Sequence, residues 1–342
     1  MIPSTMKAAV LARFGSPDNI TIKEVPTPTI KPNQVLVRVH ATTVNSGDAR
    51  IRGKNVPRGY GLMVGLVFGF GKPRFPIMGM DYAGEVVATG ANVRNFAVGD
   101  RVYGGTGITL GAHAEFVAVK ETSGMTKLPD DINYETAVSL PFGGMTARFF
   151  LEKRGKLQKG ETILINGASG AVGIAMTQLA KHIGAHVTAV CSEANHDMMR
   201  TLGADDVVDY HTTDIAKLDK QFNVIADCVG NAPYARMRDR LKKEGRLLTV
   251  VSTMGEALAA PIQSCFTPHK VLGGTADAKP EDLDWFLKMH KQGAMTAMVD
   301  TTFQFPDIVA AHKLVDGGHK KGMVVVKMPI SHTATNGRAT AA

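Results

Sequence analysis

The pattern of apolar and polar positions changes character near residue 133. Before it, short apolar runs alternate with turn residues: 8–11, 20–24 and 35–40 are predicted strands, separated by Gly-Ser-Pro-Asp at 15–18 and Pro-Thr-Pro at 26–28. In Val35-Leu-Val-Arg-Val-His40 the polar positions alternate with apolar ones, the period of a strand with one buried face. Runs at 84–88, 101–103 and 114–119 continue the series, with a turn at Val98-Gly-Asp100. Many short strands with frequent turns predict a partly closed β-barrel over residues 1–132.

After residue 133 strands and helical runs take turns. Residues 134–151 are helix-compatible, with Pro141-Phe-Gly-Gly144 read as a break. Strands at 162–165, 186–191, 207–210, 224–228, 246–251 and 269–273 are interleaved with helices at 174–183, 193–202, 233–242 and 281–292. That alternation, with short connections, predicts βαβ units and a parallel sheet over 133–298. The pieces 300–305, 307–316 and 323–328 can rejoin the first sheet, giving a return segment at 299–330, and 331–342 read as a disordered tail.

One stretch of the second half carries chemistry. Glu161-Thr-Ile-Leu-Ile-Asn-Gly-Ala-Ser-Gly-Ala-Val-Gly173 is a short apolar strand, a glycine-punctuated turn and the start of a helix. That is the context of a phosphate-binding turn. Gly167, Ser169 and Gly170 form the turn; Gly170 admits a pyrophosphate, and Gly173 lets the helix pack closely on the sheet. The N–H groups near Ala171 and Val172 then face the phosphate with the helix dipole behind them.

Length and composition narrow the class. At 342 residues the chain exceeds what one core usually serves, and 44% hydrophobic with 20% charged residues is the balance of a globular protein. The formal charge of +8 comes with basic pairs and triplets only, which fits attraction of an anionic cofactor better than nucleic-acid binding. Cys191, Cys228 and Cys265 have neither zinc-knuckle nor dithiol spacing, so free thiols in a reducing, cytoplasmic compartment are expected. The N-terminal residues show no signal-peptide pattern. The most apolar window, 60–71, contains four glycines and is too short to span a bilayer, so no membrane partner is expected.

Several further segments carry a family likeness: Met6-Lys-Ala-Ala-Val10, Gln34-Val-Leu-Val-Arg-Val-His-Ala41, Val44-Asn-Ser-Gly-Asp48, Gly79-Met-Asp-Tyr-Ala-Gly84, Val98-Gly-Asp-Arg-Val-Tyr103, Leu140-Pro-Phe-Gly-Gly-Met-Thr-Ala147, Asn166–Gly173, Leu202-Gly-Ala-Asp205 and Gly317-Gly-His319. In this order they make the chain resemble the zinc-free, quinone-oxidoreductase (zeta-crystallin-like) branch of the medium-chain dehydrogenase/reductases. The resemblance implies an α/β protein: a GroES-like β-barrel catalytic domain built from both chain ends, and a Rossmann doubly wound parallel-sheet domain between them. Where zinc-dependent members hold their ligands, this chain has Asn45-Ser46 and Gly79-Met80-Asp81, and the four-cysteine lobe is absent. No metal is therefore expected. Asp48 reads as a cap of the following segment 49–52.

The resemblance also distributes the cofactor. It places Asn45, Thr146, Val251 and Ser252 around a nicotinamide, and Val229 and Gly230 near its ribose. Tyr60 lies in a segment that lines the substrate cleft in relatives, which makes it a candidate proton donor beside Asn45; the alternative for each is a structural role in its loop. The strand ending at Cys191 has no carboxylate to bind a free ribose 2′-hydroxyl, while Ser192 and Tyr210 can donate hydrogen bonds to a 2′-phosphate. NADPH is thus expected over NADH, against the nearby Glu193. Relatives end the last Gly-His segment in Gly-Lys; here it reads Gly322-Met323, so that contact is missing or made by Lys321. Tyr82, Tyr103 and His319 are expected to be structural.

The function expected is NADPH-dependent hydride transfer to quinones or α,β-unsaturated carbonyls without zinc. Such a protein takes a small-molecule partner and allows a homodimer. The alternatives are an enoyl-thioester reductase and a nucleotide-binding protein with little turnover, crystallin-like or RNA-associated.

Overall fold

Six parallel strands form one sheet in the order Asp206–Asp209, His186–Cys191, Thr162–Asn166, Phe222–Asp227, Leu241–Thr249 and Lys270–Leu272. The computed structural model describes residues 1–276 and 279–329, so the expected tail lies outside the described residues. Ile163, Leu164 and Ile165 are fully buried, because helices cover both faces of a parallel sheet. The strand order reverses between Thr162–Asn166 and Phe222–Asp227, whose registers place Asn166 opposite Asp227. In open α/β sheets ligands bind beyond the carboxyl ends of strands at this reversal.

The second sheet is built around Gln34–Val44. Asp81–Thr89, Phe116–Lys120 and Met323–Lys327 all pair antiparallel with it, and Val299–Gln304 runs parallel to Met323–Lys327 at the edge. The C-terminal return segment is thus hydrogen-bonded into the sheet of the first residues. A separate ribbon, Thr5–Leu11 with Ile20–Pro26, is attached through single bridges from Ala8 to Ala114 and Val10 to Ile77. Tyr103 joins the two halves: its ring is buried and its hydroxyl donates to the Leu283 carbonyl at 2.7 Å.

Several elements differ from the sequence reading for identifiable reasons. Pro141 does interrupt the helical run, but as the first residue of a new helix, Pro141–Arg148, whose glycines lie inside it. Gly143 is needed there because a Cβ would stand 2.5 Å from the Ala171 carbonyl oxygen. The expected helix at 233–242 closes with a 3₁₀ turn at Arg238–Arg240, and the next strand starts at Leu241. Two helices were not expected at all, Gly61–Phe68 and Met254–Phe266. No helix among the described residues is long and apolar enough to cross a membrane.

Candidate active site

The turn between the strand Thr162–Asn166 and the helix Ala171–Ile183 is close-packed at two of its glycines and open at the third. Gly167 leaves the strand with φ of +79°, and a Cβ there would lie 2.7 Å from the Val229 side chain. Gly173 is packed as tightly: a Cβ would stand 2.5 Å from the Ala168 Cα. Gly170 differs from both. It is the N-cap of the helix Ala171–Ile183, no side chain caps the first N–H groups, and a Cβ would meet only the Gly167 oxygen, at 3.6 Å. Two glycines therefore serve packing, and the third leaves the helix start open. Ser169 is half-buried beside it. An uncapped helix N-terminus at the strand reversal, with glycine facing it, fits a pyrophosphate.

Asp227 organises the neighbouring strand end, and the sequence reading missed it. Its carboxylate accepts from the backbone N–H groups of Val229 (3.0 Å), Gly230 (2.9 Å) and Ala232 (2.8 Å) and from Asn166 Nδ2 (2.9 Å). The turn at Val229 and Gly230 is thereby tied to the end of the strand that feeds the phosphate turn. The signal was present in the sequence: an acid ending an apolar strand just before Val-Gly reads as an Asx-type turn. The Asp227 carbonyl also accepts from Val250 and Val251. Val229 is 48% exposed, and Val251 and Ser252 are half-buried.

At the other end of the crevice, Asp209 pairs with Cys191, which brings Tyr210 level with Ser192 just past the two strand ends. Ser192 Oγ accepts from Asn195 Nδ2 at 3.0 Å, leaving its hydroxyl hydrogen free to donate. Tyr210 is half-exposed and leans on His211 with ring centroids 4.2 Å apart. Glu193 opens a 3₁₀ turn and is exposed.

Asn45 sits in the first sheet's half and is fully buried. It is the N-cap of the helix Ser46–Gly53: Oδ1 accepts from the N–H groups of Gly47 (2.8 Å) and Asp48 (3.0 Å), and Nδ2 donates to Asp81 Oδ2 at 3.0 Å. One amide hydrogen stays uncommitted. Asp48 is not the cap expected from sequence; it stands three residues into a capping box, accepting from the N–H of Asn45 and, with its other oxygen, from Gly79. Burial raises both the Asp48 and Asp81 carboxyls above the usual carboxylate range. Thr146 donates to the Phe142 carbonyl at 3.0 Å, so its oxygen remains an acceptor. Tyr60 is half-buried and immediately precedes the helix Gly61–Phe68.

This arrangement does not fit zinc. Asp48 spends both oxygens on backbone N–H groups, Asp81 Oδ2 holds Thr43 and Asn45, and His113 Nε2 bonds the Thr43 carbonyl at 2.9 Å. Met80 stands between Gly79 and Asp81, and among the described residues no three His, Cys, Asp or Glu side chains are grouped to hold a metal ion.

Comparison with known proteins agrees with this architecture. Residues 31–130 match the family model described as an alcohol dehydrogenase GroES-like domain, and residues 202–326 match the one described as a zinc-binding dehydrogenase. The chain is 31% identical over 335 residues to the mitochondrial NAD(P)H oxidoreductase RTN4IP1 of Mus musculus, covering 87% of this chain and 82% of that protein. It belongs to the medium-chain dehydrogenase/reductase family. Within that family it is quinone-oxidoreductase-like, and it is an NAD(P)H-dependent oxidoreductase. The chloroplast envelope quinone oxidoreductase homolog of Arabidopsis thaliana is 29% identical over 321 residues, 89% of this chain and 92% of that protein. The solved quinone oxidoreductase of Coxiella burnetii superposes with a TM-score of 0.85 at 28% identity, covering 95% of this chain and all of that one.

Proposed function

We propose that the protein is a reductase that uses NADPH and no metal to reduce quinones or α,β-unsaturated carbonyls. The observation that carries the reading is the open start of the helix Ala171–Ile183 at the strand reversal, with Gly170 facing it and the Asp227-held turn beside it. A bound nicotinamide would supply the hydride. The backbone N–H groups of Ala171 and Val172, with Gly167, Ser169, Gly170 and Gly173 shaping the turn, hold the pyrophosphate. Val229 and Gly230 border the ribose; Thr146, Val251 and Ser252 border the nicotinamide, the Thr146 oxygen accepting from its carboxamide. Ser192 and Tyr210 donate to the adenosine 2′-phosphate, and exposed Glu193 turns to solvent.

Asn45, fully buried, orients the cleft from behind by fixing the start of the helix Ser46–Gly53 and the Asp81 carboxylate. Tyr60 is the proton donor to the reduced acceptor. With both oxygens of Asp48 and one of Asp81 spent on protein donors, and no grouped set of metal-ligating side chains among the described residues, nothing in this set replaces zinc as a Lewis acid for alcohol oxidation. An activated acceptor such as a quinone or enone takes hydride without one. The relatives cited are named for the mitochondrion and the chloroplast envelope. For this chain we retain a reducing compartment, in keeping with three free cysteines.

The test is turnover of NADPH and NADH against ortho-quinones, para-quinones, alkenals and enoyl thioesters, with metal analysis of the same sample. NADPH consumption with quinones or alkenals, unchanged by chelator, is expected. Turnover confined to enoyl thioesters, or a stoichiometric zinc lost together with activity, would overturn the reading.

A further inference from the structure

The stretch between Asp48 and Asp81 is unlike the rest of the chain in charge. It contains six basic residues, Arg50, Arg52, Lys54, Arg58, Lys72 and Arg74, and no acidic one. Its middle folds as the helix Gly61–Phe68, Gly-Leu-Met-Val-Gly-Leu-Val-Phe, which has no polar side chain on any face. Leu62, Met63 and Leu66 are 68%, 49% and 59% exposed, and Phe70 just beyond is 58% exposed. Phe70 folds back over Gly65, where a Cβ would collide with the ring. Leu62 and Leu66, one turn apart, therefore continue into Phe70 as an apolar ridge. Isolated surface leucines need no explanation, but a contiguous ridge marks a contact surface.

The ridge is flanked by charge that is not neutralised. Lys54, Arg58, Lys72 and Arg74 are exposed, and among the described residues none of them forms an ion pair. Arg52, by contrast, is buried and bonded to Asp316. We propose that this face docks on an anionic membrane surface, with the helix Gly61–Phe68 lying flat in the headgroup layer. Its apolar side chains enter the acyl boundary while Arg58, Lys72 and Arg74 meet lipid phosphates and carboxylates; Lys54, held on the Phe70 carbonyl and 4.4 Å from the Phe14 ring centroid, adds its charge behind them. The net charge of +8 adds attraction to the same surface. The expectation of no membrane partner rested on the length needed to span, which does not bear on a helix lying in the plane.

A second copy of the chain fits this face poorly. Face-to-face association would bring together two rims from a stretch that carries six basic residues and no acidic one. The molecule has another exposed apolar stripe, Leu258, Ile262 and Phe266 on the helix Met254–Phe266, which supplies a control for apolar exposure alone.

The experiment is co-sedimentation of the full chain with vesicles at low salt, comparing pure phosphatidylcholine with phosphatidylcholine carrying about a third phosphatidylserine. Binding to the anionic vesicles only is expected, weakening as salt rises. Leu62→Ser with Leu66→Ser should abolish it, Arg58→Gln with Arg74→Gln should weaken it about 30-fold, and Leu258→Ser with Ile262→Ser should leave it unchanged. Melting curves and light scattering confirm that each variant is folded and report its oligomeric state. Absence of binding by the native chain, binding insensitive to the Leu62/Leu66 change, or loss only in the Leu258/Ile262 variant would overturn the proposal. So would an oligomer that dissociates when Leu62 and Leu66 are replaced, which would assign the face to a second copy.

Discussion

Gly170 and Gly322 face each other in a lone parallel bridge. The first is the open N-cap of the phosphate turn, and the second lies just before the return strand Met323–Lys327. The pairing brings Lys320 to the turn, its Nζ donating to the Gly322 carbonyl at 2.7 Å, whereas Lys321, one of the two alternatives the sequence left open, is exposed. Burial lowers the Lys320 pKa to about 8. A pyrophosphate favours the charged form, so cofactor binding should take up a proton once the free protein has lost it. Affinity should be level below about pH 8 and fall as pH rises through it. Lys320→Met should weaken binding about tenfold at neutral pH, the value of one charge-assisted contact, and remove the fall at alkaline pH. Calorimetric titration of cofactor at several pH values checks both; a native pH profile retained in the variant would place the lysine away from the phosphates. In the unliganded protein the sign for stability is the reverse. The unfolded chain holds the Lys320 proton up to a higher pH than the native one, so this residue makes stability rise with pH upward from about 8.

Two glycines of the turn should fail in opposite ways. Gly170→Val adds a side chain where the structure has room, so the melting temperature should hardly move while cofactor affinity falls by at least tenfold. Gly173→Ala forces a methyl against the Ala168 backbone and should cost about 1–3 kcal/mol of stability, as overpacking does. Thermal melts with and without cofactor separate the two. Equal cofactor affinity in a folded Gly170→Val protein would remove the turn from the binding site.

Asp227→Asn should be costly despite its small change in shape. The carboxylate accepts four N–H groups, and an amide offers one oxygen and a competing donor. Stranding buried donors costs about 1–3 kcal/mol each, so a loss of about 2–4 kcal/mol is expected by denaturant titration, with weaker cofactor binding through the loosened Val229–Gly230 turn. A variant of unchanged stability would show that the four bonds do not hold the turn.

The contrast among these residues shows what the sequence displays and what it hides. The strand, turn and helix across residues 162–183 were legible because strand, glycines and helix follow one another locally, and local order is what a linear pattern records. The parallel sheet followed from the alternation of strands and helices for the same reason. The helix Gly61–Phe68 was not legible: apolar on every face, it has no amphipathic period to detect. Met254–Phe266 did announce itself through a capping box, Thr253 to Glu256, but Pro261 inside the run argues against a helix. Asn45 could be read as a turn residue or a ligand contact, and only the approach of Asp81 from another strand shows where its amide goes. The bridge to Gly322 joins positions far apart in the chain, and nothing in either local sequence announces it.

The choice between NADPH and NADH turns on Ser192. The parallel register of Asp209 with Cys191 brings Ser192 and Tyr210 to the same level at the ends of adjacent strands. Ser192 accepts from Asn195, so its own hydrogen is available, and the phenol of Tyr210 is half-exposed. Neither carries charge that would repel a 2′-phosphate. The two nearest acids are otherwise placed: Glu193 is exposed at the start of a 3₁₀ turn, and Asp209 accepts from the His211 N–H at 3.0 Å. Each hydrogen bond to a phosphate is worth about 1.5–3 kcal/mol, and part of that is lost to solvent at so open a position. NADPH should therefore bind about 10- to 100-fold more tightly than NADH. Ser192→Asp replaces a donor with a like charge and should invert or abolish the preference, while Tyr210→Phe should reduce it and leave NADH affinity unchanged. Dissociation constants for both cofactors, measured by quenching on all three proteins, decide the matter. Tighter binding of NADH by the native chain, or an unaltered preference in Ser192→Asp, would place the adenosine phosphate elsewhere.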